Sequence, residues 1–310
     1  MWYNFHMVYP EPHWKRKILF LIFLTSCVVY SVYNLTINII GQALNVKAQF
    51  TGKTVSVNSG KNPQDLEAKI KSAVGNNWQN YSVLVSDLDN NFRMAINDTV
   101  MYTAASLNKT AILATLYQGC QNGTIDCDQV LTLQKNDIQD YGTGSIRYDP
   151  PGTIYSVKTL AMLMMRKSDN TAAYLLANYT LSMDSIQNLI NSWGLKQTDM
   201  INNKTSNADM ALLYDKIYHE KIVNQAYTQE IMNLLQESDF EDRIPQLLPP
   251  DTKVYHKVGS AVGMIHDVGI VSGNNFHYYI GVMTSDITDE DQATKMIAEI
   301  SKIVYDFMQK

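Results

Sequence analysis

The chain has 310 residues, 25 Lys+Arg against 30 Asp+Glu, and a formal net charge of −5. That balance opposes a nucleic-acid binder, which usually carries a basic patch. Three cysteines are too few for a disulfide scaffold and lack zinc-site spacing, and 15 Gly with 8 Pro exclude a collagen-like or low-complexity chain. No metal or other cofactor is expected, and the chain is read as a monomer.

Residues 18–46 contain no Asp, Glu, Lys or Arg. The first part, 18–40, is long and apolar enough for a transmembrane helix, which takes about 20 residues. Lys15, Arg16 and Lys17 precede it, and the following flank carries only Lys47. The positive-inside rule then leaves residues 1–17 in the cytoplasm and puts the bulk of the chain on the extracytoplasmic side of the cell membrane, as a single-pass protein. Two readings compete. One is a cleaved signal peptide, whose apolar core usually runs about 7–15 residues. The other is lipidation of Cys27, because Leu24-Thr25-Ser26-Cys27 resembles a bacterial lipoprotein cleavage box. Outside the cell Cys120 and Cys127 meet an oxidising compartment and flank the turn-rich Gln121-Asn122-Gly123-Thr124. A local disulfide and two buried free thiols both stay open.

Residues 41–62 are polar and turn-prone, and read as a linker. Pro63 then opens an amphipathic helix with Leu66, Ile70 and Val74 at helical spacing and Asn62 as its cap. Residues 81–88 and 92–96 read as two strands of a hairpin around Asp89-Asn90-Asn91. The middle, roughly 104–245, is helical by pattern. Strand character returns at 252–257, 266–272 and 276–285, and residues 287–308 close as a long amphipathic helix. Strands at both ends around a helical middle predict an α+β fold, with one antiparallel sheet of chain-distant strands and a helical insertion, in a single domain over 63–310.

Three polar clusters could carry chemistry. Ser106-Leu107-Asn108-Lys109 at a helix start places a hydroxyl and an amine about one turn apart. The amine can take the hydroxyl proton if neighbours lower its pKa, although one such spacing is expected by chance and a capping serine beside a surface lysine also fits. Ser168-Asp169-Asn170 can relay a proton and hold a substrate amide, or simply cap a helix. His256-Lys257-Val258-Gly259-Ser260 ends a predicted strand. Lys257 offers charge for a carboxylate, Gly259 lets a substrate backbone approach the strand edge, and the N–H of Ser260 can join that of Ser106 as an oxyanion donor.

In this order the three clusters resemble the serine β-lactamase and penicillin-binding-protein superfamily, within it the class A β-lactamase-like branch, with its Ser-x-x-Lys, Ser-Asp-Asn and Lys-Thr/Ser-Gly. Tyr141-Gly142-Thr143-Gly144-Ser145-Ile146 is similar to the branch's path into Ser-Asp-Asn, and Ile265-His266-Asp267-Val268-Gly269 to its strand after the Lys-x-Gly turn. The resemblance implies a serine hydrolase that opens β-lactam amides. It makes Ser106 the nucleophile, Lys109 its base partner and Ser168 the proton shuttle to the leaving nitrogen. Asn170 would hold the substrate amide, and Lys257, with Gly259 and Ser260 beside it, would bind the substrate.

Two departures stand out. Val258 replaces a hydroxyl residue, which removes a substrate hydrogen bond of about 1 kcal/mol. No glutamate occurs from Thr171 to His219, where class A enzymes place the base that activates the deacylating water. Acylation with slow deacylation is therefore expected, Asp199 being the one nearby carboxylate that could stand in. The competing functions are a penicillin-binding D,D-peptidase acting on peptidoglycan peptides and a catalytically idle surface domain.

Overall fold

The computed structural model describes residues 60–310. The expected membrane helix 18–40, its flanks, Cys27 and most of the 41–62 linker lie outside these residues. Among the described residues no helix is long and apolar enough to cross a membrane.

The chain enters through α1 (Pro63–Val74), capped by Asn62, whose side chain accepts the Gln64 N–H, with Leu66, Ile70 and Val74 fully buried. It continues into β1 (Asn80–Asp87) and β2 (Arg93–Ile96). At the other end of the sequence come β7 (Lys253–Ala261), β8 (Met264–Ser272) and β9 (His277–Ser285), followed by α8 (Glu290–Met308). These strands form one antiparallel sheet in the order β2-β1-β9-β8-β7. The first and last strands in chain order meet as the β1–β9 pair, with Val83 opposite Val282.

Side-chain alternation along these strands builds two cores, because successive residues point to opposite faces. Val83, Val85, Tyr278, Ile280 and Val282 pack under α1 and α8 with Ile297, Ile300 and Val304. Leu84, Val268, Ile270, Tyr279 and Met283 face the helical layer.

That layer holds α2 (Lys109–Gln121), α3 (Val157–Arg166), α4 (Asn170–Leu175), a π turn (Leu176–Thr180), α5 (Met183–Ser192), α6 (Asn207–Tyr218) and α7 (Gln225–Gln236). It is not wholly helical. β3 (Met101–Thr103) pairs with β6 (Lys204–Ser206), and β4 (Val130–Thr132) with β5 (Ile154–Ser156). Three residues are too few to show a period of two, and the partners of β3 lie about a hundred positions away, so no local pattern marks these ribbons. Asn207 ties the layer to the sheet. Its amide donates to Ser82 Oγ at 3.0 Å and to the Gly281 carbonyl at 2.9 Å, and its oxygen accepts from the Tyr279 hydroxyl at 2.8 Å. Cys120 and Cys127 form a disulfide with Cα atoms 5.6 Å apart, which decides between the two open readings.

Candidate active site

The α-helix begins at Lys109 rather than at Ser106. Ala105 takes a left-handed conformation (φ 50°), and a 3-10 turn, Ala105–Asn108, carries Ser106 into α2. The α-helix therefore starts one turn later than expected, and the hydroxyl and the amine sit across the junction of the two helix types. Ser106 is half-buried on the wall of a cavity of about 620 Å³, whereas Lys109 is 6% exposed.

Lys109 Nζ donates to the Ser168 carbonyl at 2.5 Å, to Ser168 Oγ at 3.2 Å and to Asn170 Oδ1 at 2.7 Å. Ser168 holds a left-handed φ of 51°, uncommon for a residue with a side chain. Bonds to its carbonyl from Lys109 Nζ and, at 3.0 Å, from Thr143 Oγ1 help to hold it there. Asp169 is the N-cap of α4, accepting the Ala172 N–H, so the capping interpretation of Ser-Asp-Asn also holds. The other oxygen of that carboxylate accepts the N–H groups of Ser145 and Ile146 at 2.6 and 2.9 Å, clasping the loop 141–146 against the site. Gly144 makes that grip feasible: its φ is 127°, and a Cβ there would lie 2.5 Å from the Asp169 carboxylate. Asn170 Nδ2 donates to the Tyr141 carbonyl at 2.9 Å.

Lys257 is 2% exposed and does not reach the open face of the cavity. Its ammonium donates to Ser168 Oγ at 3.0 Å and to the Val258 carbonyl at 3.2 Å. One hydroxyl thus bridges two lysines, and such a pair disfavours double protonation. Burial pushes Lys109 down to about 7, with Asp169 opposing the shift. Lys257 lies well below its ordinary value, from burial first and then from the charge of Lys109. A Lys109 that is substantially neutral near pH 7 can accept a proton.

A Cβ on Gly259 would sit 2.9 Å from the Ala104 carbonyl and 3.2 Å from Leu107 Cγ, so β7 approaches the nucleophile turn closely at this position. Ser260 is exposed, lines the cavity and accepts a bond from the buried Arg243 guanidinium at 2.8 Å. Arg243 also donates to the His266 carbonyl at 2.6 Å. Asp267 holds the adjoining backbone by accepting the Ile244 N–H at 3.0 Å, and it pairs with buried His256 at 2.8 Å. Burial alone would lower the His256 pKa; Asp267 and Glu241 outweigh it and raise it to about 9. His266 donates from Nε2 to the Thr103 carbonyl and accepts the Thr284 N–H at Nδ1, and burial pushes it down to about 4. Sequence reasoning missed Arg243, because its partners arrive only through the pairing of β7 with β8.

The loop between α5 and β6 brings no carboxylate to the described cavity lining. Asp199 spends its carboxylate on its own turn, accepting the N–H groups of Ile201 and Asn202 and the Asn202 amide, and it does not line the cavity. Buried Asp209 anchors the loop through the Gln197 N–H and the Thr198 hydroxyl. Facing the cavity instead are Asn203, at φ 48°, and Asn108, whose amide donates to Asn203 Oδ1 at 3.0 Å. Among the described residues that line the cavity none is Asp or Glu.

A sequence profile of the Beta-lactamase enzyme family matches residues 65–308. The chain belongs to the β-lactamase enzyme family. No curated protein matches it, but solved structures do. PBP-A is 23% identical, with a TM-score of 0.72 over 78% of this chain and 95% of that one. The extended-spectrum β-lactamase TLA-3 is 23% identical, with a TM-score of 0.74 over 79% and 99%. A β-lactamase from Sphaerobacter thermophilus is 19% identical, with a TM-score of 0.73 over 78% and 96%. At these identities the likeness establishes the fold of this β-lactamase family member.

Proposed function

We propose that the protein is a serine hydrolase that opens β-lactam amides through an acyl-enzyme on Ser106 and releases the product slowly. The observation that carries this is the hydrogen-bonded chain Lys109–Ser168–Lys257 beside Ser106, in a cavity whose described lining has no carboxylate. Ser106 Oγ attacks the carbonyl carbon while neutral Lys109 takes its proton. The carbonyl oxygen gains the negative charge, stabilised by the N–H groups of Ser106 and Ser260. As the C–N bond breaks, Ser168 gives its proton to the leaving nitrogen and is reprotonated from Lys109. Arg243, which bonds Ser260 on the cavity wall, supplies positive potential for the substrate carboxylate in place of the buried Lys257, and Asn170 holds the substrate amide. Deacylation then needs water and a base, and Lys109 is the group left to serve.

The carboxylate-free cavity also favours a second reading, a penicillin-binding D,D-peptidase for which β-lactams are traps. PBP-A offers support: a single-substitution mutant of it forms an acyl-enzyme complex with penicillin G, and that mutant is 22% identical to this chain. The proposal also keeps residues 18–40 as a membrane anchor with the catalytic unit on the extracytoplasmic side, on the strength of the charge-free apolar run behind Lys15, Arg16 and Lys17.

Incubation with a fluorescent penicillin, a chase with unlabelled drug and nitrocefin turnover test these readings. Wild type is expected to label and Ser106→Ala to remain dark. Slow loss of label with measurable turnover fits the hydrolase, and a lasting label without turnover fits the peptidase. No Ser106-dependent label would sink both in favour of an idle domain, and rapid loss of label would sink slow deacylation.

A further inference from the structure

Side chains alternate along a strand, so neighbouring residues of β7 face opposite ways. Lys257 turns toward Ser168, and His256 toward the face of the sheet that carries Val254, Ile265 and Val271. There His256 is 1% exposed and Asp267 is fully buried, and the acylation steps use neither. His256 Nδ1 lies 2.8 Å from Asp267 Oδ1, and Nε2 faces Glu241 Oε1 at 3.6 Å. A ring with a carboxylate at each nitrogen favours the doubly protonated cation. Burial opposes that charge, but Asp267 and Glu241 outweigh it and raise the ring to about 9.

The second oxygen of Asp267 accepts the Ile244 N–H at 3.0 Å, one residue past Arg243. The buried Arg243 guanidinium itself bonds neutral oxygens: the His266 carbonyl at 2.6 Å, the Gly259 carbonyl at 3.3 Å and Ser260 Oγ at 2.8 Å. Among the described residues it pairs with one carboxylate, Asp242, which is 3.6 Å from Nε and largely in solvent. Ser260 accepts from Arg243, so its own hydroxyl proton is left for an anion in the cavity.

Asp267 is thus a buried anion that serves both His256 and the segment carrying Arg243. While His256 is cationic, the two charges cancel and Arg243 keeps its positive field. Once His256 is neutral, the Asp267 charge acts on Arg243 instead. The remaining charged groups near this cluster are Glu241 and Asp242 at the surface and Lys257 on the other face. Lys257 is lowered by burial first and then by Lys109, with Asp267 opposing.

We propose that His256 is a positioning residue for the substrate carboxylate: by occupying Asp267 it leaves Arg243, and the Ser260 hydroxyl that Arg243 holds, free to bind an anion in the cavity. The proposal rests on acylation of Ser106 and on Arg243 as the partner of the carboxylate.

The test uses the full chain and compares second-order acylation by benzylpenicillin and by its methyl ester, which lacks the carboxylate charge, from about pH 7.5 to about 10.5. The acid-to-ester ratio isolates the anion site, because a change in Lys109 acts on both compounds. In wild type the ratio is expected to be at least about tenfold near neutrality and to fall about tenfold through about pH 9. His256→Asn keeps a donor for Asp267 without the charge, and is expected to hold the ratio low at every pH. Asp267→Asn keeps an acceptor for the Ile244 N–H and removes the anion, and is expected to hold the ratio high and flat. A purely structural role would lower the ratio in both variants. Thermal melts identify a variant that fails to fold. In that event NMR of isotope-labelled histidine in the wild type decides: the His256 ring is expected to titrate within about one pH unit of the fall in the ratio, and a displaced titration overturns the proposal. A high ratio that stays flat in wild type, a fall that survives in folded His256→Asn, or a lowered ratio in both folded variants would overturn the role of His256 while leaving Arg243 standing. A ratio near one throughout would overturn Arg243 and His256 together, and no label from either compound would overturn acylation and the proposal with it.

Discussion

Lys109 and Lys257 donate to the same Ser168 hydroxyl from buried positions, and this arrangement sets the charge state of the site. The proton on Lys109 is the one that matters, since its amine must be neutral to receive the Ser106 proton. Its pKa of about 7 lies far below that of a lysine in water because burial penalises the ammonium. Acylation is therefore expected to be slow in acid, to rise through about pH 7 as Lys109 loses its proton, and to level off above. Stopped-flow acylation between about pH 5 and 9 reads the profile. Lys109→Arg keeps the charge but cannot deprotonate, and is expected to cost about 10²–10⁴-fold and abolish the inflection. A flat wild-type profile would remove Lys109 as the base. The residue types Ser, Lys, Ser, Asn and Lys could be read in order along the chain. That Lys257 lies behind Ser168 and away from the open face could not, because its burial is made by strands and helices distant in sequence.

The elements act on the chemistry mainly by holding the nucleophile turn against β7. Gly259 leaves room for the Ala104 carbonyl, and His266 on β8 holds the Thr103 carbonyl just before the turn. Gly259→Ala places a methyl 2.9 Å from that carbonyl, and backbone cannot rotate away as a side chain does. The variant is expected to lose about 1–3 kcal/mol of stability and, more tellingly, to acylate about 10²-fold more slowly, since small misplacements of a nucleophile are costly. Comparing the labelling rate with the denaturant midpoint separates the two effects. A variant that is less stable yet acylates at the wild-type rate would show that Gly259 serves packing alone. At this scale the long elements were visible in the sequence. α1, the β1–β2 hairpin, the three C-terminal strands and α8 fall within a few residues of their periodic patterns, and Leu66, Ile70 and Val74 are buried as their spacing requires. The 3-10 turn before α2 and the short ribbons carry no such period. Their conformations answer to partners elsewhere.

Across the whole molecule, the helical layer and the sheet must keep a fixed relation, since Ser106 and Ser168 belong to one and Lys257 to the other. Asn207 is one buried polar link between them, with three hydrogen bonds satisfied by Ser82, Tyr279 and Gly281. Asn207→Ala removes all three and leaves those partners buried without it. A loss of about 2–3 kcal/mol is expected, read as a lower midpoint in urea with an unchanged slope. A loss under about 0.5 kcal/mol, the range of ordinary surface substitutions, would show that apolar packing alone aligns the two layers.

Local patterning alone settled the α+β class and the strands at both ends of the chain, because these depend on residues within a few turns of one another, while the resemblance to the class A branch gave the order of the three motifs and the missing glutamate their meaning. The folded backbone decided the rest, since whether two groups meet depends on a path that no periodic pattern fixes. It joined Cys120 to Cys127, folded Asp199 back on its own turn, brought Arg243 to Ser260 and set Asn108 and Asn203 on the cavity wall. The total of 30 acidic residues says nothing about which of them reach the nucleophile. Solvent exclusion and strand pairing make that choice, and they left the described wall of the cavity without a carboxylate.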